Sequence, residues 1–182
     1  MLARHGETEA NRKHCFASSD EMELTQEGLR QAEGLANRLA REFASSFLYS
    51  SAFRRARQTA EIVGRVLGIA PVVLADIHER NFGCLRGQPY TLMGELMLAD
   101  PSYNADEDWL WAPEGGESHE EVRIRVVPAL RGLMYRHPED EVAVICHGAV
   151  IQSVCAHISK NWRESSVPPN CGVVVIEHGK LD

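Results

Sequence analysis

Lysine is almost missing from this chain: of its 19 basic residues only Lys13, Lys160 and Lys180 are lysines, and the other sixteen are arginines. The planar guanidinium fork suits bidentate contact with oxyanions. Genome base composition produces the same bias, so position decides whether the excess has a use. A net positive charge is lacking too: at -7 the chain is a poor match for nucleic acid or anionic membrane surfaces, which are held mainly by basic patches. No apolar run approaches the ~20 residues of a membrane span. Cysteine is sparse and odd in number, with Cys15, Cys84, Cys146, Cys155 and Cys171 showing no C-x-x-C spacing. That argues against a disulfide scaffold or a zinc ribbon and for a reducing compartment. The start, Met1-Leu2-Ala3-Arg4-His5, lacks the basic and apolar regions of a secretory signal, so a cytoplasmic location is expected. What the chain does hold is 44% hydrophobic residues over 182 positions, enough for the core of one domain spanning residues 1–182.

Periodicity divides that domain. Thr25 precedes Leu29, Ala32, Leu35, Leu39 and Phe43 at steps of three and four, the pattern of a capped amphipathic helix. Phe47-Leu48-Tyr49 reads as a strand, and Ala56, Ala60, Val63 and Leu67 form a second helical stripe that Gly68 can end. Val72-Val73-Leu74 is a strand, and Leu92 to Ala99 a short helix stopped by Asp100-Pro101. A longer helix is expected from Ser118 to about Arg136, kinked or broken at Pro128. Val142 to Ile145 reads as a strand buried on both faces, Gly148 to Ile158 as a helix, and Gly172 to Ile176 as a last strand. Alternating strands and helices imply an α/β three-layer sandwich, a mostly parallel central sheet with helices on both faces. Ligands of such sheets bind beyond the carboxyl ends of the strands.

Two of those strand exits carry histidine: His5 in Arg4-His5-Gly6-Glu7-Thr8, and His147 before Gly148. An imidazole can attack phosphorus, and phosphoryl transfer asks the protein chiefly for positioning and for positive charge around three oxygens. Arginines stand where that demand places them. Arg4 adjoins His5, and Arg54-Arg55-Ala56-Arg57 opens a helix, whose N-terminus itself favours oxyanions. Arg55, one turn before Thr59, is the inward candidate; Arg54 and Arg57 face solvent. A leaving alkoxide also needs a proton, and Glu79, in the loop after the third strand, is the candidate acid.

Together, Arg4 to Thr8 with Asn11, Arg55-Ala56 with Gln58-Thr59-Ala60, Glu79-Arg80-Asn81-Phe82-Gly83, Pro113-x-Gly115-Gly116-Glu117-Ser118 and His147-Gly148 make the chain resemble the histidine phosphatase superfamily, in its phosphoglycerate mutase-like branch. The likeness covers nearly the whole chain, in order. It implies a phosphoglycerate mutase-like fold and a phosphohistidine formed on His5. Arg4, Arg55 and His147 would surround the phosphoryl oxygens, and Glu79 would donate the proton. Asn11 and the Gly148 N–H would complete the pocket, with Thr8, Ser18, Arg80 and Phe82 near the substrate. It implies no metal and no cofactor. His14, His78, His119, His137, His157 and His178 match no family position and are expected to be structural or surface residues. Only three residues precede Arg4, whereas relatives usually begin with a longer first strand, so either the chain is trimmed or its first strand is short.

Mutases of this branch carry extra cations after the acid, and here the chain departs. Between Arg86 and Arg123 no Lys or Arg occurs, whereas Glu95, Asp100, Asp106, Glu107, Asp108, Glu114, Glu117, Glu120 and Glu121 are acidic. Residues 88–117 are expected to form a lid-like insertion whose acidity either repels a polyanionic substrate or faces solvent. The expected activity is metal-independent hydrolysis of a small phosphorylated metabolite. Phosphoglycerate mutase-type transfer is the alternative, followed by a phosphoprotein phosphatase or a phosphate-binding protein without turnover. The expected partners are that substrate and at most a second copy of the chain in a homodimer, with no nucleic acid and no membrane.

Overall fold

The structure is a computed structural model describing residues 1–177 and 179–181; His178 lies outside the described residues. Five strands, β1 (Leu2–Arg4), β2 (Phe47–Ser50), β3 (Val72–Val73), β4 (Val142–Cys146) and β5 (Val173–Val174), form one sheet in the order β3-β2-β4-β1-β5. Pairing is parallel except between β1 and β5. The six α-helices among the described residues are α1 (Glu9–Arg12), α2 (Gln26–Glu42), α3 (Arg54–Leu67), α4 (Tyr90–Ala99), α5 (His119–Arg136) and α6 (Gly148–Ser159).

The two-residue side-chain period of a strand splits the sheet into two apolar faces. Leu2, Val144 and Cys146 point to one face, where they pack with Val122, Val126 and Leu130 of α5 and Val150 and Val154 of α6. Ala3, Ala143 and Ile145 point to the other and meet Leu35 and Leu39 of α2 and Ala56, Ala60 and Val63 of α3. The result is the expected helix–sheet–helix sandwich. β1 has only three residues, but it runs between β4 and β5, so both of its edges are paired.

Local signals explain the helix ends. Thr25 accepts the Gly28 N–H and caps α2, a contact worth about 1 kcal/mol. Gly68 ends α3 in the left-handed region at φ 71°, which costs glycine nothing. Of the kink or break expected at Pro128, the break does not occur, since α5 runs through it: the proline lies on the exposed side of the helix beside Ile124, which is 57% exposed. The Ile124 carbonyl that loses its partner there can turn to water instead. The last strand is shorter than the Gly172–Ile176 run and antiparallel, covering Val173–Val174 alone. No helix among the described residues is long and apolar enough to cross a membrane, and all five cysteines are free.

Candidate active site

The parallel strands all end on one edge, and that edge holds a cavity of about 400 Å³ lined by Arg4, His5, Arg55, Glu79 and Gly148 among others. His5 follows β1 directly, and its N–H extends the ladder to the Cys146 carbonyl at 3.0 Å. On the ring, Nδ1 lies 2.7 Å from the Gly6 carbonyl. A carbonyl only accepts, so Nδ1 carries the proton and Nε2 keeps a lone pair, to which Arg55 Nε donates at 3.2 Å. Burial, then the charges of Arg55 and Arg4, hold the His5 pKa well below 6.5 against the opposing Gly6 carbonyl. The imidazole is therefore neutral, with its lone pair beside a guanidinium.

The neighbouring motif residues fix this loop. The Gly6 N–H donates to Thr59 Oγ1 at 3.1 Å, and the same hydroxyl donates to the Arg55 carbonyl at 2.8 Å, tying the His5 loop to α3. Gly6 also touches the start of α2 so closely that a Cβ there would lie 2.4 Å from the Gly28 carbonyl oxygen. Glu7 accepts the Thr25 hydroxyl at 2.7 Å, so it serves the α2 cap and not the reaction.

Arg55 is 3% exposed, whereas Arg54 and Arg57 turn outward to Glu23 and Glu21. Burial lowers the Arg55 pKa, with Glu79 and Asp20 opposing. Arg4 donates from Nη1 to the Pro168 carbonyl at 2.7 Å, and its buried Nε has no partner among the described residues. That atom sits by Gly148, whose own Cβ would come within 2.6 Å of Val167 Cγ1. His147 is fully buried, its ring 5.3 Å from that of His5 at an interplanar angle of 63° and equally close to that of Phe53. Ser51 Oγ bonds its Nε2 at 2.8 Å, while Nδ1 is buried without a partner among the described residues. Burial, then the Arg55 charge, lowers its pKa well below 6.5 and keeps it neutral.

Glu79 is half-buried and faces both this cavity and an adjoining one of about 300 Å³. Its Oε1 accepts the N–H groups of Arg80 at 2.9 Å and of Ala149, in the first turn of α6, at 3.2 Å. Its loop is clamped from below: Arg125 donates to the Glu79 and Asp76 carbonyls and to both Glu117 oxygens, and Glu117 also accepts the Asn81 N–H. Burial alone would raise the Glu117 pKa, but the bonds from Arg125 and Asn81 outweigh it and hold the carboxyl below its usual range. Sequence reading missed this clamp, as it missed Ser51 and Asn170, whose amide donates to the His5 carbonyl at 3.0 Å and to Asn11 Oδ1 at 3.2 Å.

Thr8, Asn11, Arg80, Phe82 and Gly148 line the cavity. Thr8 and Asn11 spend polar groups on each other, in the capping box of α1. Arg80 donates to the carbonyls of Glu117 at 2.6 Å and Trp111 at 3.1 Å, and burial lowers its pKa to about 10. Ser18 is exposed and rests against Gly87; its neighbour Ala17 takes the place on the wall. Two histidines expected to be structural or surface residues face the cavities. His119 lines the main one, and His78 the adjoining one, where its Nδ1 bonds the Glu79 carbonyl at 2.9 Å. Of the acidic stretch, no carboxylate reaches either cavity wall. Glu117, Glu120 and Asp106 pair with Arg125, Arg123 and Arg163, and Asp100 accepts from Trp111 Nε1. Residues 88–117 give the cavity Tyr90 and Met93 instead.

The chain is similar to known proteins over most of its length. Phosphoglycerate mutase-like protein 4 of Arabidopsis thaliana is 33% identical over 159 residues, covering 85% of this chain and 68% of that protein. Metal-independent phosphoserine phosphatase from the same plant is 30% identical over 162 residues, covering 88% of this chain and 68% of its own. Among solved structures, mycobacterial glucosyl-3-phosphoglycerate phosphatase superposes with a TM-score of 0.81 at 27% identity, over 93% of this chain and 86% of that one. With residues 1–180 matched by the model of the histidine phosphatase superfamily (branch 1), the chain belongs to that family.

Proposed function

We propose that the protein hydrolyses phosphomonoesters of small metabolites through a phosphohistidine on His5. The observation that carries this is the neutral His5, its Nε2 lone pair held 3.2 Å from Arg55 Nε on the wall of a cavity that also holds Arg4 and Glu79. Nε2 forms the bond to phosphorus as the ester P–O bond breaks, and Glu79 gives its proton to the departing oxygen. Water then attacks phosphorus and yields a proton to Glu79; the N–P bond breaks, which restores neutral His5 and releases phosphate. Arg55, the Arg4 Nε and the Gly148 N–H at the start of α6 meet the phosphoryl oxygens. His147, oriented by Ser51, backs His5, and Arg80 holds Trp111 and Glu117 against the Glu79 loop. Residues 88–117 act as a lid through Tyr90 and Met93. The names of the relatives support phosphatase and mutase chemistry alike. The absence of any free cation from 87 to 122 favours water as the final acceptor. The five free thiols fit a reducing compartment such as the cytoplasm.

A panel of metabolite phosphates scored for released phosphate tests this. Release is expected to outrun any transfer between the 2- and 3-positions of phosphoglycerate, and a chelator is expected to leave it unchanged, because guanidinium groups meet the phosphoryl charge. Transfer exceeding release would make the protein a mutase, and loss of activity with chelator would contradict the mechanism.

A further inference from the structure

The cavity has a second end. From the phosphate side it runs along α6, with Gly148, Ala149 and Gln152 on its wall, so Gln152 lies about 6 Å beyond Gly148 at 1.5 Å per residue. His119 lines the same space from the start of α5. Its position is set on two sides: its carbonyl accepts the Ser153 hydroxyl of α6 at 3.2 Å, and its ring lies 5.9 Å from that of Trp162. Between these polar groups the wall is Met93, Val167 and Tyr90.

We propose that His119 and Gln152 form a leaving-group subsite that takes an uncharged, hydroxyl-bearing alcohol and rejects one carrying a carboxylate or second phosphate about one helical turn from phosphorus. This rests on the phosphomonoesterase reading above. A hydroxyl both donates and accepts; Gln152 Nε2 donates to the Ser165 carbonyl at 3.4 Å, which fixes the carboxamide and leaves its Oε1 to accept, while the neutral His119 imidazole offers the second partner. An anion there would lose its water, and the nearest cation, Arg80, already has its Nε and Nη2 on backbone carbonyls. Among the described residues lining the cavity the cations are Arg4, Arg55 and Arg80. Arg4 and Arg55 flank His5, and Arg80 has its Nε and Nη2 on the Glu117 and Trp111 carbonyls, with its guanidinium 5.8 Å from the Phe82 ring centre. Nor does His119 supply a charge: burial, then the Arg80 charge, lowers its pKa to about 3.

Glycerol 3-phosphate and 3-phosphoglycerate differ at one end, hydroxymethyl against carboxylate, and so isolate the effect. The wild-type kcat/KM is expected to favour glycerol 3-phosphate by about tenfold or more. Gln152→Arg, and independently His119→Lys, should cut that ratio by about tenfold by placing a cation on the wall. Phenyl phosphate, which bears neither group, reports the underlying chemistry separately. Turnover of phenyl phosphate with equal or greater preference for 3-phosphoglycerate would overturn the subsite while leaving the hydrolytic mechanism standing. A ratio unmoved in both folded variants would overturn the placement of His119 and Gln152. No turnover of phenyl phosphate would overturn the mechanism itself, and the subsite with it.

Discussion

His5→Ala is expected to lower kcat for phenyl phosphate by at least about 10³-fold, because it removes the atom that bonds to phosphorus and leaves only the positive cradle to assist direct attack by water. The size follows from the geometry. Arg55 Nε points at His5 Nε2, so in the variant the guanidinium still attracts phosphate but has no nucleophile to serve. KM is therefore expected to change far less than kcat. Retention of about a tenth of the activity would remove His5 from the role. The pH profile provides a second check. Since burial and the two arginines hold the His5 pKa well below 6.5, the imidazole stays deprotonated through that value. The His5 acid limb of kcat/KM then falls well below pH 6.5, where fewer lone pairs are available.

Glu79→Gln is expected to have the next largest effect and to depend on the leaving group. For an alkyl phosphate, whose alkoxide needs a proton to depart, the loss should be about 10²- to 10⁴-fold. For p-nitrophenyl phosphate, whose leaving group is stable as an anion, it should be smaller by an order of magnitude or more. The amide oxygen can still accept the Arg80 and Ala149 N–H groups that the carboxylate holds at 2.9 and 3.2 Å, so the loop should keep its place. Equal losses on both substrates would point to a positioning role and not to proton transfer.

Much of this site was legible because strand ends and helix starts are local events. The apolar run before His147, the stripe after Arg54 and the Thr25 cap put β4, α3 and α2 in place, and sheet topology then brought His5, Arg55 and Glu79 to one edge. The pairing of Arg55 with Thr59 was readable from a four-residue step. Contacts set by the tertiary fold were not. Asn170 reaches His5 across 165 positions and Arg125 reaches Glu79 across 46, and neither periodicity nor composition marks them. The acidic stretch shows how charge counted along a sequence misleads: its carboxylates pair with arginines or point outward, and the cavity receives the uncharged Tyr90 and Met93. His119 was passed over because it matches no motif. The signal that could have found it is its place just after the capping Ser118, where a helix starts beside the cavity.

The most direct test of the central claim is to quench steady-state turnover at alkaline pH, where a phosphoramidate survives, and locate the phosphoryl group by peptide mass mapping. A single phosphoryl group on the peptide containing His5, lost in His5→Ala and accumulating in Glu79→Gln if hydrolysis of the intermediate slows, is the predicted result. A phosphoryl group on the His147 peptide, or turnover with inversion at phosphorus and no trapped intermediate, would contradict it.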